Sequence, residues 1–404
     1  MSWKRRTPRP RKATDALNVA ELRELAQRRV PRFVFEYVEG GAEDEATLRA
    51  NRGAFARWRL VPRTLVDTCA RHTRVELFGR TAAAPLIVAP TGFNGMLQPQ
   101  GDIALARAAV ELGIPFTLST FSTTRLEEVV RRAGGRIWQQ LYVMKDRGVA
   151  RELIARASEA GCEALVFTTD ANVFGSREWD RRSYRAPGRP TLRSKLEALR
   201  HPRWLRQMLR HGLPRLRNLE GHLPANVLTA VGGSTLVPQL VDASISWDDV
   251  AWIREAWRGK LLLKGLLDVR DAERAAALGC DGIVISNHGG RQLDYCVTSL
   301  EVLPEMLRAV GTRMTLIVDG GILRGTDIAK ALALGARAVL VGRAALYGLA
   351  AGGEAGAAHA LGLLTTELHR VLGELGCMQV ADLSPAHLRA APGFHSPEAS
   401  VLRD

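Results

Sequence analysis

At 404 residues with 46% hydrophobic content the chain can bury a large core; length alone suggests two or three domains, but α/β barrels exceed that prior as one unit. Five cysteines placed singly, with no CxxC pair and no histidine at zinc-ligand spacing, point to a reducing compartment without a structural metal. A net charge of +14 and a pI near 10.2 suit an anionic partner, whether nucleic acid, an anionic bilayer or a small acid, and equally suit a well-solvated arginine-rich surface.

The N-terminal MSWKRRTPRPRKATDA is basic but leads into no apolar run, so residues 1–15 read as a disordered basic tail with no signal peptide or membrane span there. No later stretch approaches the roughly 20 apolar residues that cross a bilayer. Residues 15–60 read as helices feeding the regular, repeating part of the chain: Ala20 to Arg29 carries leucines at helical spacing, and PRFVFEYVEGGAEDEATLRANRGAF succeeds it.

From about residue 84 to 350, apolar runs rich in β-branched residues alternate with segments of helical period. The runs are PLIVAP (85–90), PFTLS (115–119), IWQQLY (137–142), ALVFTTD (164–170), LLLKG (261–265), GIVISNH (282–288), TLIVDGG (315–321) and AVLVGR (338–343). Segments such as GDIALARAAVELG and DVRDAERAAALGC lie between them, with glycine near the end as a cap. Eight strand–helix units without a strong antiparallel hairpin signal predict a parallel sheet closed as a single (β/α)8 TIM barrel, an α/β fold with N-terminal helices. A doubly wound open sheet is the alternative, but it would carry a GxGxxG turn after its first strand, and none is there.

One interval breaks the rhythm. Residues 171–245 are too long for an ordinary connection and predict a functional loop inserted after the fourth strand. Within it, Thr191 to Glu220 holds eight arginines and lysines against two glutamates, a charge of +6, mixed with leucine, tryptophan and methionine. Such a segment can lie on an anionic membrane surface or form a solvated lid packed on the barrel rim. The barrel is expected to run over 16–385, with 386–404 as a C-terminal tail.

Each run ends in polar or glycine residues, and in a barrel those ends converge on one mouth. DGGILRGTD after the seventh run offers Gly320 and Gly321 ahead of a helix start, and VGR after the eighth adds Gly342 and Arg343. Backbone N–H groups and a helix dipole at these two loops form a phosphate site. Lys264 ends the fifth run, where it fits either a Schiff-base nucleophile or a fixed positive charge beside an electron-accepting ring. His288, in SNHGGRQLD, is the best base among nine histidines: two glycines let the loop turn tightly and Arg291 can bind a carboxylate. Asp170, at the fourth strand end, is the natural acidic partner for its imidazole.

SNHGGRQLD, VDGGILRGTDIAKALALGA and LVGRAALYG together resemble the signature region of the FMN-dependent 2-hydroxy acid dehydrogenases and oxidases, a family that includes lactate and mandelate dehydrogenases and glycolate oxidase. The likeness extends to FEYVEGGAEDEATLRANRGAF, APTGFNGM, QLYVMKDR and FTTDANVFGSRE, from about residue 16 to 385. The resemblance implies oxidation of an L-2-hydroxy acid to a 2-oxo acid, with His288 as base and Asp170 stabilising the imidazolium. It places Arg291, Tyr37, Tyr142 and Arg177 around the substrate. It assigns FMN to Pro90, Thr91, Gly92, Ser119, Gln140, Thr168, Lys264 and Ser286, with Asp319 on the ribityl chain and Gly320, Gly321, Gly342 and Arg343 on the phosphate. Proton and hydride routes both require the same base.

Three departures stand out. Leu323 replaces an arginine that contacts the phosphate in many members, with Arg324 beside it as a substitute to be tested. Gly92 and Phe121 replace an alanine and a tryptophan, which implies room for a substrate larger than glycolate. The basic segment resembles the membrane-associating insertion of bacterial members, which favours a quinone or other membrane electron acceptor over oxygen, with a quinone, a cytochrome or oxygen as the candidate acceptors, and implies a cytoplasmic enzyme that can lie peripherally on the inner face of the cell membrane. Homotetramers are expected from the resemblance, and no nucleic acid partner. Two rivals differ in class: a Schiff-base aldolase using Lys264, and a non-catalytic polyanion-binding protein.

Overall fold

Each of the eight apolar runs becomes one strand of a closed parallel barrel in the computed structural model, which describes residues 9–186, 189–223 and 239–392. The barrel strands are β1 (Leu86–Val88), β2 (Phe116–Leu118), β3 (Ile137–Leu141), β4 (Ala164–Thr168), β5 (Lys260–Leu266), β6 (Gly282–Ile285), β7 (Thr315–Asp319) and β8 (Ala338–Val341). They pair in chain order, and β8 closes on β1 with Val339 opposite Leu86 and Val341 opposite Val88. Helices cover the outer face and side chains fill the inside, so both faces of a strand are buried and apolar residues run continuously. Side-chain caps start the covering helices: Asp146 before Arg147–Glu159, Ser246 with Asp249 before Trp247–Ala256, and Thr298 with Glu301 before Ser299–Val310.

The floor of the barrel, at the strands' N-terminal ends, is tied by a hairpin where the sequence shows no strong hairpin signal. Val75–Leu77 pairs antiparallel with Arg80–Ala82 across Phe78 and Gly79, both at positive φ, the geometry of a tight two-residue turn. Arg136, just before β3, donates to Leu77 O (2.9 Å) and to both carboxylate oxygens of Glu163 (2.7 and 2.5 Å). Trp138 Nε1 donates to the same carboxylate at 3.3 Å.

Helices Val19–Arg29, Arg32–Glu39 and Ala46–Ala56 precede the barrel, the first packing along the last helix, Arg343–Leu375, which kinks at Gly352 and Gly353. The ordered chain passes both expected tail boundaries. Ala13 is buried in a turn of helix over Ala13–Asp15, and Leu388–Ala390 pairs antiparallel with Trp58–Leu60, its preceding His387 buried. Burial and strand pairing, invisible in residue type, fix both ends. Residues 1–8 and 393–404 of the two tails lie outside the described residues.

Residues 187–188 and 224–238 of the long connection after β4 also lie outside them; its described residues are folded. In helix Pro202–His211, Trp204 is buried against Phe33 (ring centroids 5.8 Å, edge-on) and donates to Met96 O at 2.7 Å, with Met208 buried beside it. The same segment exposes Leu192, Leu196, Leu199, Leu209 and Leu213. It is therefore packed on the rim by one side and apolar toward solvent on the other. No helix among the described residues is long and apolar enough to cross a membrane.

Candidate active site

A cavity of about 370 Å³ opens at the C-terminal ends of the strands, bounded by the strand-end loops and by the helices Arg32–Glu39 and Ala46–Ala56. On its lining, β6 runs into three consecutive residues with left-handed backbone: His288 (φ 58°), Gly289 (66°) and Gly290 (75°). A Cβ on Gly290 would come within 2.5 Å of Leu48 N, so the glycine is obligatory for this close approach. His288 has a Cβ and bears strain there. Its own N–H donates to Ser286 Oγ at 3.0 Å, which holds the turn.

The strained turn brings His288 Nδ1 to 3.0 Å from Asp170 Oδ1. Asp170 itself depends on Gly265, at φ 108° in an irregularity of β5, where a Cβ would lie 2.5 Å from the aspartate's Cβ. Burial would raise the Asp170 carboxyl, but the charges of His288 and Lys264 and the hydrogen bond from His288 outweigh it, leaving the group below its ordinary value. Burial lowers the imidazole of His288, helped by Lys264 and Arg177 and opposed by Asp170. An ionised carboxylate only accepts, so Nδ1 carries the proton and Nε2 keeps its lone pair on the cavity side. Asp170 Oδ2 is buried and makes no hydrogen bond among the described residues.

The Arg291 guanidinium, which lines the same cavity as His288, stands 5.2 Å over the Tyr37 ring and donates to the carbonyls of Tyr37 (2.7 Å) and Gly40 (2.9 Å). Tyr37 OH donates to Gly92 O at 3.2 Å. Arg177 reaches the cavity from the loop after β4, its Nε donating to Arg291 O at 3.4 Å. Tyr142 is buried, which pushes its phenol far above the usual range and keeps it protonated as a donor. Its ring stacks on Phe121 (5.2 Å), which stacks on Phe93 (6.3 Å), while Phe174 lies 6.5 Å from Tyr142. With Tyr37 edge-on to Phe93 at 5.6 Å, five aromatic rings line one side of the cavity.

The other expected residues divide into two layers. Pro90, Thr91, Gly92, Ser119, Lys264, Asp319, Gly320, Gly321, Gly342 and Arg343 line the cavity. Gln140, Thr168 and Ser286 do not line it; they brace those that do. Gln140 Oε1 accepts from Thr120 N (3.0 Å) and Ser119 Oγ (3.4 Å), while its Nε2 donates to Thr168 Oγ1 (3.1 Å). Ser286 Oγ accepts from Lys264 Nζ at 3.0 Å and donates to Asp319 Oδ2 at 2.6 Å. With the His288 amide also bonded to it, that hydroxyl has its full complement of partners and links β5, β6 and β7. Gly92 offers less room than its lack of a side chain suggests, since a Cβ there would meet Phe121 at 3.2 Å.

At the phosphate end Gly320 and Gly321 take φ of 100° and 76°, and a Cβ on Gly321 would lie 2.3 Å from Asn51 O. Such a turn leaves backbone N–H groups bare toward an anion. Arg343 donates to the carbonyls of Val38 (3.0 Å), Gly289 (2.8 Å) and Gly40 (3.2 Å), so it fastens the N-terminal helices to the mouth. Leu323 lines the cavity, but Arg324 is turned away to Glu367 (3.0 Å to each carboxylate oxygen) and does not substitute for it. Arg49 and Arg52 line the same end from helix Ala46–Ala56 and were not expected there. Their spacing of three places both on one helix face, which was the signal available in the sequence. The glycine cradle, the adjacent row Lys264–Ser286–Asp319 and the cavity they share suit a phosphate-bearing ring cofactor.

The family model described as FMN-dependent dehydrogenase matches residues 26–390. (S)-Mandelate dehydrogenase of Pseudomonas putida is 43% identical over 373 residues, covering 92% of this chain and 93% of that protein. L-Lactate dehydrogenase of Caulobacter sp. (strain K31) is 42% identical over 358 residues, covering 87% and 92% respectively. Among solved structures, that of the monotopic membrane protein (S)-mandelate dehydrogenase superposes with a TM-score of 0.88 at 42% identity, over 93% of this chain and all (100%) of that one. Mandelate oxidase with (S)-4-hydroxymandelic acid gives 0.80 at 37% identity, over 94% and 100%.

Proposed function

The chain belongs to the FMN-dependent dehydrogenase family, and on that premise we propose that it oxidises an L-2-hydroxy acid with an aromatic side chain to the 2-oxo acid. The observation that carries the substrate class is the row of five rings, Tyr37, Phe93, Phe121, Tyr142 and Phe174, facing the same cavity as His288 and Arg291. Aryl groups prefer stacked or edge-on partners at these separations.

FMN, when bound, supplies the acceptor for the electron pair that leaves the α-carbon. The rest is done by the chain. Arg291 and Tyr37 hold the substrate carboxylate, with Arg177 closing from the long loop and Tyr142 donating toward the hydroxyl or carboxylate. His288 Nε2 takes the proton, and the ionised Asp170 stabilises the resulting imidazolium from the Nδ1 side. Lys264, fixed by Ser286 and 3.4 Å from Asp319 Oδ2, is a stationary positive charge beside the ring site rather than the nucleophile of an aldolase. The reoxidising partner we propose is a quinone, reached because the exposed leucines and arginines of residues 192–213 rest on an anionic bilayer. The similarity to a monotopic membrane protein supports this placement.

Anaerobic mixing of the yellow holoenzyme with (S)-mandelate, L-lactate and glycolate tests the reading. The aryl acid is expected to bleach the flavin with a kcat/KM roughly ten-fold or more above lactate, the effect of a filled apolar pocket. Equal values for mandelate and glycolate would remove the aromatic assignment, and no bleaching by any 2-hydroxy acid would remove the reaction. Reoxidation faster by quinone than by air-saturated buffer is the outcome required of the acceptor proposal.

A further inference from the structure

A phosphate monoester in the glycine cradle brings about −1.5 to −2 charges, and the cations around it are unequally available. Arg343 is engaged by three backbone carbonyls. Arg52 is paired with Asp327 and also donates to Gly321 O at 3.0 Å, which makes it a brace of the cradle. Arg324 is held by Glu367, and position 323 between the glycines and that arginine is an apolar leucine. Arg49 differs from all of these. It lines the cavity one helical turn before Arg52, it is exposed, and among the described residues its hydrogen bonding is confined to one contact, Nη1 to Asp44 O at 2.8 Å. It forms no ion pair among the described residues, so its charge and its remaining guanidinium N–H groups are uncommitted.

We infer that Arg49 is a ligand of the cofactor phosphate, swinging from the helix Ala46–Ala56 over the cradle to supply the charge that Leu323 does not. The inference rests on the FMN reading of the cavity. Its physical basis is that a guanidinium fork matches two phosphate oxygens, and a charge-assisted pair of this kind is among the stronger hydrogen bonds a side chain makes. Asn51 packs on Gly321, so the helix that carries Arg49 is already seated against the cradle and only the side chain has to move.

The test compares FMN with riboflavin, which has the ring and ribityl chain but no phosphate, by fluorescence titration of the full chain stripped of flavin. Arg49→Ala is expected to weaken FMN binding roughly ten-fold while riboflavin binding is unchanged. Arg49→Lys should recover part of the loss, and Leu323→Arg added to Arg49→Ala should restore FMN preference. If Arg49→Ala leaves the FMN-to-riboflavin ratio as it was, or weakens both flavins equally, the assignment is wrong. If Arg52→Ala and not Arg49→Ala collapses that ratio, the phosphate ligand is Arg52 and the inference again falls. Absence of FMN binding to the unsubstituted chain would remove the cofactor reading itself, a result distinct from either.

Discussion

Two buried ion pairs stand at opposite ends of the barrel and are finished to different degrees. At the floor, both oxygens of Glu163 are bonded by Arg136, Trp138 adds a third donor, and the guanidinium also reaches the hairpin carbonyls of Leu77 and Arg80. At the mouth, Asp170 bonds His288 through one oxygen, leaves the other buried without a hydrogen bond among the described residues, and faces a histidine held at φ 58°. The floor pair has no polar group left over, so it contributes to holding the fold. The mouth pair keeps an unsatisfied acceptor and a strained backbone, which is tolerable only because the rest of the barrel is so complete.

The contrast can be broken at each end. Replacing His288 by alanine should have the largest effect, a fall in kcat of about 10³ to 10⁴-fold with the flavin absorbance retained. Asp170→Asn should lower kcat by about 10²-fold and also shift the pH profile. As the proposed base, His288 must be unprotonated to act, and with its pKa lowered the acid limb of kcat/KM is expected below the ordinary imidazole value of about 6.5. Asp170 is the group that raises that pKa, so its neutralisation should move the limb to still lower pH; movement to higher pH would contradict the pairing. At the floor, Arg136→Leu strands the Glu163 carboxylate and should cost about 3–5 kcal/mol in denaturant unfolding, while kcat per folded molecule is unchanged. Gly265→Ala, at the mouth, should move both readouts: the strained φ and the clash with Asp170 should cost about 1–3 kcal/mol and lower kcat as well. Smallest for the fold is Leu209→Ser with Leu213→Ser, within about 0.5 kcal/mol by the same unfolding assay, yet expected to weaken sedimentation with anionic vesicles.

The strands were legible because a parallel barrel buries both faces, so each one is a short unbroken apolar run. Their polar ends gave the mouth for the same reason, and His288, Asp170, Lys264 and Arg291 meet there. Residues contributed from elsewhere were harder to see. Arg49 and Arg52 sit on a helix far earlier in the chain than the Gly320–Gly321 turn after β7 that they line, 269 residues separating Arg52 from Gly321, and nothing local marks which helix face meets a barrel mouth. The floor hairpin was missed because its strands are three residues long and carry Glu76, Arg80 and Thr81 beside few apolar residues. The direction of Arg324 depended on Glu367, distant in sequence, and residue type alone allowed it to point either way.

The pairing of Trp58–Leu60 with Leu388–Ala390 has a consequence for biosynthesis. The first partner leaves the ribosome more than three hundred residues before the second exists, and Tyr37 and Arg49 belong to that early segment. Arg343, which clasps the carbonyls of Val38 and Gly40, also arrives late. The wall of the cavity is therefore among the last parts of the molecule to settle, so a nascent chain that has made every strand up to β7 still lacks a closed pocket in which to retain its cofactor.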